Sequence, residues 1–189
     1  TGELRGYYAR PDGDGPHPCV VVYIEAFGVN DHFIRLTERF ADAGFATVTP
    51  DIYHGTICAY DDLENAIGTL KSMDDNNVMA ETKATLSFLA SQPEANENAV
   101  AVTGFCMGGR FTFLANAALS DRFRAAAAFY GGGIGPVEDM AGRQVLLDRA
   151  EEMQAPIMFW YGAEDGSIAP DEIGRISETL AKANKRFSV

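Results

Sequence analysis

The chain is short of basic residues, of histidine, of cysteine and of tryptophan, and most of these shortages exclude something. Fifteen lysines and arginines face 27 aspartates and glutamates, for a formal net charge of −12. A surface of that sign does not gather polyanions, so neither nucleic acid nor an anionic membrane is expected as a partner. No acidic run exceeds a few residues, and the charge reads as ordinary solvation of a folded surface. No stretch approaches the ~20 apolar residues needed to cross a bilayer, and no signal peptide is visible. The cysteines, Cys19, Cys58 and Cys106, are odd in number and lack C-x-x-C spacing. They predict reduced thiols and a cytoplasmic location rather than a disulfide frame or a zinc site. No metal or other cofactor is expected.

What is present fits one globular domain spanning residues 1–189. Hydrophobic residues make up 47% and charged residues 22% of the chain, enough for a substantial core. No internal repeat, linker or low-complexity segment interrupts it. The first residue is Thr1 rather than methionine, so the start is expected to be processed, trimmed or partial.

The most informative stretch is Val102 to Arg110. Ala99 to Thr103 (AVAVT) reads as a buried strand and Phe111 to Leu119 as a helix. Between them Gly104-Phe105-Cys106-Met107-Gly108 forms G-x-C-x-G, the nucleophile-elbow pattern with cysteine in place of serine. A nucleophile on such a turn sits in strained backbone. Its neighbours two residues away must lack a Cβ so that strand and helix can approach. The helix that follows aims its N-terminal amides at the thiol, which favours a thiolate and any oxyanion beside it.

Strands and helices alternate through the rest of the chain. Glu3 to Ala9 reads as an edge strand and Cys19 to Ile24 as a strand buried on both faces. A loop, Glu25 to Asn30, leads to a helix from Asp31 to about Ala43, with Asp31 as N-cap and Phe33, Leu36 and Phe40 on its apolar face. Phe45 to Thr49 is the next strand, and Pro50 to Gly55 leaves it as a loop. Residues 61–91 have helical period with a break near Asp74 to Asn77, and the second half turns Ala84, Phe88 and Leu89 to the core. Arg124 to Tyr130 and Ala155 to Tyr161 read as strands. Residues 134–153 are irregular, with a short helix around Val145 to Met153. A last helix opens at Pro170 or Asp171, and Arg186 to Val189 begins a strand. This order predicts an α/β fold with a mostly parallel sheet and helices on both faces. In such folds the loops at the carboxyl ends of the strands carry the chemistry.

Four motifs lie in order on such loops: Glu25-Ala26-Phe27-Gly28-Val29-Asn30, Pro50-Asp51-Ile52-Tyr53, Gly104-Phe105-Cys106-Met107-Gly108-Gly109 and Gly162-Ala163-Glu164-Asp165. With these motifs the chain resembles the dienelactone hydrolase (carboxymethylenebutenolidase) family, a cysteine-nucleophile branch of the α/β-hydrolases. The resemblance implies an α/β-hydrolase fold and hydrolysis of a small ester or lactone through a cysteine acyl-enzyme. It matches Cys106 to the nucleophile, Asp165 to the triad carboxylate and Glu25 to the glutamate that governs the thiol's ionisation. It assigns the oxyanion hole to the backbone N–H groups of Met107 and Ala26. Tyr53, His54, Tyr60, Phe105, Trp160 and Tyr161 are candidates for an aromatic pocket.

Two departures qualify the resemblance. The family places its histidine after the aspartate, whereas the histidines here are His17, His32 and His54, all before Cys106. Either the residues belong to a longer chain that supplies the histidine with a final strand and helix, or the product is naturally short; the missing methionine favours the first. In the second case His54 is the one histidine on a carboxyl-end loop, and a non-catalytic binding protein of this fold is the alternative function. A redox-sensing thiol at Cys106 is a third reading, but no resolving cysteine lies nearby. The family also holds its substrate carboxylate with arginines. Between Gly55 and Val102 this chain has only Lys71 and Lys83, which lack the bidentate fork. An ester or lactone other than a carboxylated dienelactone is therefore at least as well matched.

Overall fold

The computed structural model describes residues 3–137 and 145–189. Its sheet comprises β1 (Gly6–Ala9), β2 (His17–Tyr23), β3 (Ala46–Pro50), β4 (Ala95–Phe105), β5 (Ala125–Phe129), β6 (Ile157–Trp160) and β7 (Phe187–Ser188), in the order β1-β3-β2-β4-β5-β6-β7. β1 runs antiparallel to β3, and every other neighbouring pair is parallel. In β2, Cys19 to Tyr23 are buried without alternation, as a strand covered on both faces must be. The helices are α1 (Asp31–Asp42), α2 (Leu63–Ser72), α3 (Asp75–Ser91), α4 (Met107–Ala118) and α5 (Pro170–Lys182), with a 3-10 turn at Leu147–Glu152. The mostly parallel α/β architecture expected from the sequence is present.

Side-chain alternation divides the layers. Tyr23 points to the face covered by α3 and α4. Its ring lies 5.9 Å from Phe111, and its hydroxyl shares a short hydrogen bond with Thr82. On the same face Phe113 of α4 meets Phe159 of β6 at 6.4 Å. Phe105 points to the other face, where Phe33 of α1 meets it edge-on at 6.0 Å. The buried Arg110 of α4 ties the first layer together through two hydrogen bonds to Asp75 at the start of α3, at 2.6 and 2.9 Å.

Several expected boundaries shift for identifiable reasons. The N-cap of α1 is Asn30 rather than Asp31: Asn30 Oδ1 accepts the amides of His32 and Phe33 at 3.0 and 3.3 Å. Asp31 instead sits in the first turn, where its charge suits the helix dipole. β4 starts at Ala95 because His17 and Pro18 pair with Ala95 and Asn96 ahead of a register shift. The break in residues 61–91 falls at Met73, in extended backbone, after which Asp74 caps α3 through the amide of Asn77. Ala84 and Phe88 of α3 do not face the core. Thr82 and Thr85 do, with their hydroxyls satisfied by the carbonyls of Val78 and Glu81. Phe88 lies outside, edge-on to Tyr8 at 5.2 Å. The irregular segment expected at 134–153 is described only in part, since residues 138–144 lie outside the described residues.

The first turn of α4 is pressed into the sheet. A Cβ on Gly104 would stand 2.1 Å from the carbonyl oxygen of Gly108, and one on Gly108 would stand 2.6 Å from those of Tyr23 and Ile24. Backbone cannot swing aside as a side chain can. Gly108→Ala is therefore expected to destabilise the fold by about 1–3 kcal/mol. Gly68→Ala in α2, where the added methyl meets open space, should instead stabilise it by up to about 1 kcal/mol. Urea unfolding midpoints of the two variants check both signs.

Candidate active site

At the carboxyl end of β4 the chain reverses into α4 through Cys106, whose φ of 55° and ψ of −121° put a non-glycine residue in a sparsely populated region. Such a conformation costs about 1–3 kcal/mol and persists only where its surroundings fix it. Here the Cys106 amide donates to the Phe129 carbonyl at 3.0 Å, and its carbonyl accepts from Gly109 at 2.9 Å. A Cβ on Gly109 would in turn stand 2.8 Å from the Cα of Gly131. The turn is held by β5 on one side and by β2 on the other.

Around the thiol the forces oppose each other. Burial is the largest and pushes its pKa up; the charges of Glu25 and Asp165 push in the same direction. The amides of Met107 and Ala26 hydrogen-bond the sulfur and pull the pKa down, but the net shift is upward. The helix N-terminus thus does not by itself yield a thiolate, contrary to the simple expectation from the motif. What the two amides do supply is a pair of donors that favour negative charge at the sulfur.

Glu25 lies two residues beyond the end of β2 and is half-buried. Its Oε1 accepts the Tyr60 hydroxyl at 3.2 Å. Asp165, on the loop after β6, accepts from the amide and the hydroxyl of Ser167 at 2.9 and 2.5 Å. Those donors hold its carboxyl below the usual carboxylate range.

The aromatic candidates separate. Tyr53 is buried and its hydroxyl meets Met107 Sδ at 3.4 Å, so it backs the residue after Cys106. Its neighbour His54, at φ 52°, turns away to α3 and pairs through Nε2 with Glu81 at 2.9 Å. Its place on a carboxyl-end loop does not bring it into the set of groups that govern the thiol. Phe105, Phe129 and Trp160 are register partners on β4, β5 and β6. Their rings stack at 4.9 and 6.0 Å as a ladder across the sheet, and Trp160 remains 54% exposed. Tyr161 packs beside Phe159 and donates to the Gly131 carbonyl. Cys19 and Cys58 are buried.

Sequence reasoning missed Tyr130 and Ser167. Tyr130 has φ 38°, and its hydroxyl is raised in pKa by burial and by the charges of Glu25, Cys106 and Tyr60, which places it in the same cluster. The available signal was its position at the carboxyl end of β5, just before three glycines. Among the described residues no group of three or more His, Cys, Asp or Glu is arranged to hold a metal ion, and no helix is long and apolar enough to cross a membrane.

A family model for the dienelactone hydrolase family matches residues 4–189. The chain belongs to the dienelactone hydrolase family. An Escherichia coli K12 protein, provisionally named a carboxymethylenebutenolidase, is 32% identical over 98% of this chain and 69% of its own length. A Yersinia pestis protein with the same provisional name is 32% identical over 96% of this chain and 68% of its own. The crystal structure of a provisionally named dienelactone hydrolase from Klebsiella pneumoniae superposes with a TM-score of 0.89 at 31% identity, covering 98% of this chain and 78% of that one. Family membership makes this a dienelactone hydrolase-like hydrolase with an α/β-hydrolase-type fold.

The raised thiol pKa has a direct readout. Alkylation of Cys106 by iodoacetamide is expected to accelerate with pH through and beyond the ordinary thiol range of about 8.5. At neutral pH it should be slower than that of an unperturbed thiol, with Cys19 and Cys58 unlabelled. Peptide mapping at a series of pH values checks this, and a rate that levels off near neutrality would contradict it.

Proposed function

We propose that the chain hydrolyses a small ester or lactone, with Cys106 as nucleophile and a thioester acyl-enzyme as intermediate. The observation that carries this is a cysteine held at a strained strand-to-helix turn at the start of α4, where the Met107 and Ala26 amides favour negative charge on its sulfur. Once Sγ bonds to a carbonyl carbon, the carbonyl oxygen takes the negative charge. Two fixed amides at that point then stabilise the transition state without reorganising.

The electron count closes as an acyl transfer. Solvent hydroxide takes the Sγ proton, giving water; the thiolate forms the C–S bond, the tetrahedral oxyanion collapses, and the C–O bond breaks with the alkoxide taking a proton from water. Water then cleaves the thioester to a carboxylic acid and restores the thiol. In the family pattern Asp165 orients a histidine for these proton transfers. The chain's histidines are His17, His32 and His54, and His54 is occupied by Glu81. Asp165 itself is ionised and held by Ser167, as an orienting carboxylate must be.

The thiol pKa leaves Cys106 protonated at rest, which protects it from oxidation and adventitious alkylation. Glu25 and Asp165 are the carboxylates that contribute to this. An ester or lactone other than a carboxylated dienelactone is at least as well matched as substrate. Lys71 and Lys83 are both exposed, and no arginine lies between Gly55 and Val102 to clamp a substrate carboxylate.

With p-nitrophenyl acetate the protein is expected to release a burst of nitrophenol followed by slower turnover. Cys106→Ala should abolish the burst and lower kcat/KM by about 10³-fold or more, in the range seen when a nucleophile is removed. Stopped-flow absorbance checks it. Full activity in Cys106→Ala would overturn the reading.

A further inference from the structure

The loop between β3 and α2 carries Tyr60, whose ring and hydroxyl make separate contacts. The ring lies against Phe27 with centroids 4.6 Å apart. The hydroxyl accepts from Asn30 Nδ2 at 3.1 Å and donates to Glu25 Oε1 at 3.2 Å. Asn30 is fixed in turn as the N-cap of α1. A hydrogen-bonded line therefore runs from the start of a helix, through one tyrosine, to the carboxylate beside the nucleophile.

The backbone holds the same loops together. The Cys58 amide donates to the Phe27 carbonyl at 3.2 Å. A Cβ on Gly28, which has φ +85°, would stand 2.3 Å from the Thr56 carbonyl oxygen. Tyr60 nonetheless keeps 58% of its surface in solvent. Core packing does not fix such a side chain; its contacts to Phe27, Asn30 and Glu25 do.

We propose that Tyr60 is a positioning residue for the nucleophile: its hydroxyl fixes the Glu25 carboxylate beside Cys106 and offsets part of that carboxylate's field at the sulfur. The inference rests on Cys106 being the nucleophile and Glu25 its electrostatic neighbour. An O–H aimed at Oε1 puts its positive end on the carboxylate, so the negative charge felt by the thiol is smaller than that of a bare Glu25. The other groups facing this cluster are Asp165 from the loop after β6, Tyr130 from the end of β5, Tyr53 from the loop after β3, and Arg35 of α1, which faces Tyr60. Burial, with the charge of Glu25, keeps the Tyr60 hydroxyl protonated, so it remains a donor while the thiol titrates.

The test compares the wild type with Tyr60→Phe, Glu25→Gln and the double variant, reading the pH profile of Cys106 alkylation by iodoacetamide. Phenylalanine keeps the ring on Phe27 and removes only the hydroxyl. Tyr60→Phe is expected to raise the thiol's apparent pKa by about half a unit, slowing alkylation at about pH 8 by about threefold. Glu25→Gln should lower that pKa and speed alkylation. In the Glu25→Gln background the further change to phenylalanine should alter the rate by less than about 1.5-fold. An equal slowing in both backgrounds would make Tyr60 a merely structural residue and overturn the proposal, as would unchanged or faster alkylation in Tyr60→Phe. If Glu25→Gln itself changes nothing, the role of Glu25 fails and takes this proposal with it. The Cys106 reading would still stand on its own hydrolysis test.

Discussion

The backbone of α4's first turn rests directly on the backbone of β2 and β4, and the geometry of the site follows from that contact. Gly108 lies where any side chain would strike the carbonyls of Tyr23 and Ile24, and Gly104 lies where one would strike Gly108. With strand and helix that close, the intervening residue has no room for an ordinary conformation. Cys106 takes positive φ, and the sulfur is carried out at the strand's carboxyl edge with the first amide of α4 beside it. The bidentate Arg110–Asp75 pair then locks α4 against α3. The local strain at Cys106 is a small cost against the packing that enforces it.

Chemistry enters through a balance of opposing terms. A sulfur partly withdrawn from water and flanked by two carboxylates holds its proton, while two amides favour its loss. Because burial outweighs the amides, the resting group is a thiol. In the proposed acyl transfer the same amides stabilise the oxyanion more than the resting sulfur, since charge develops beside them only during reaction.

Much of this could be read from residue order. The buried run Cys19 to Tyr23, the glycine-flanked Cys106 and the alternation of strands and helices each follow from local pattern, and the sheet assembled as they imply. Contacts between distant residues were not legible. Tyr60 and Glu25 are 35 positions apart, and nothing local says that a tyrosine rather than an arginine meets that carboxylate. His54 looked available on its loop until α3 supplied Glu81. Thr82 and Thr85 hid the core face of α3, because a threonine whose hydroxyl bonds its own helix packs like an apolar residue. The sign of the thiol's shift was likewise unreadable, since burial is a property of the whole fold.

The central claim is that the sulfur at the strained turn takes the acyl group. Acid quenching of the protein during its first turnover with p-nitrophenyl acetate, followed by peptide mapping by mass spectrometry, tests this most directly. An acetyl group on the peptide containing Cys106, lost again as the reaction proceeds, is the predicted result. Acetylation confined to other residues during productive turnover would contradict it.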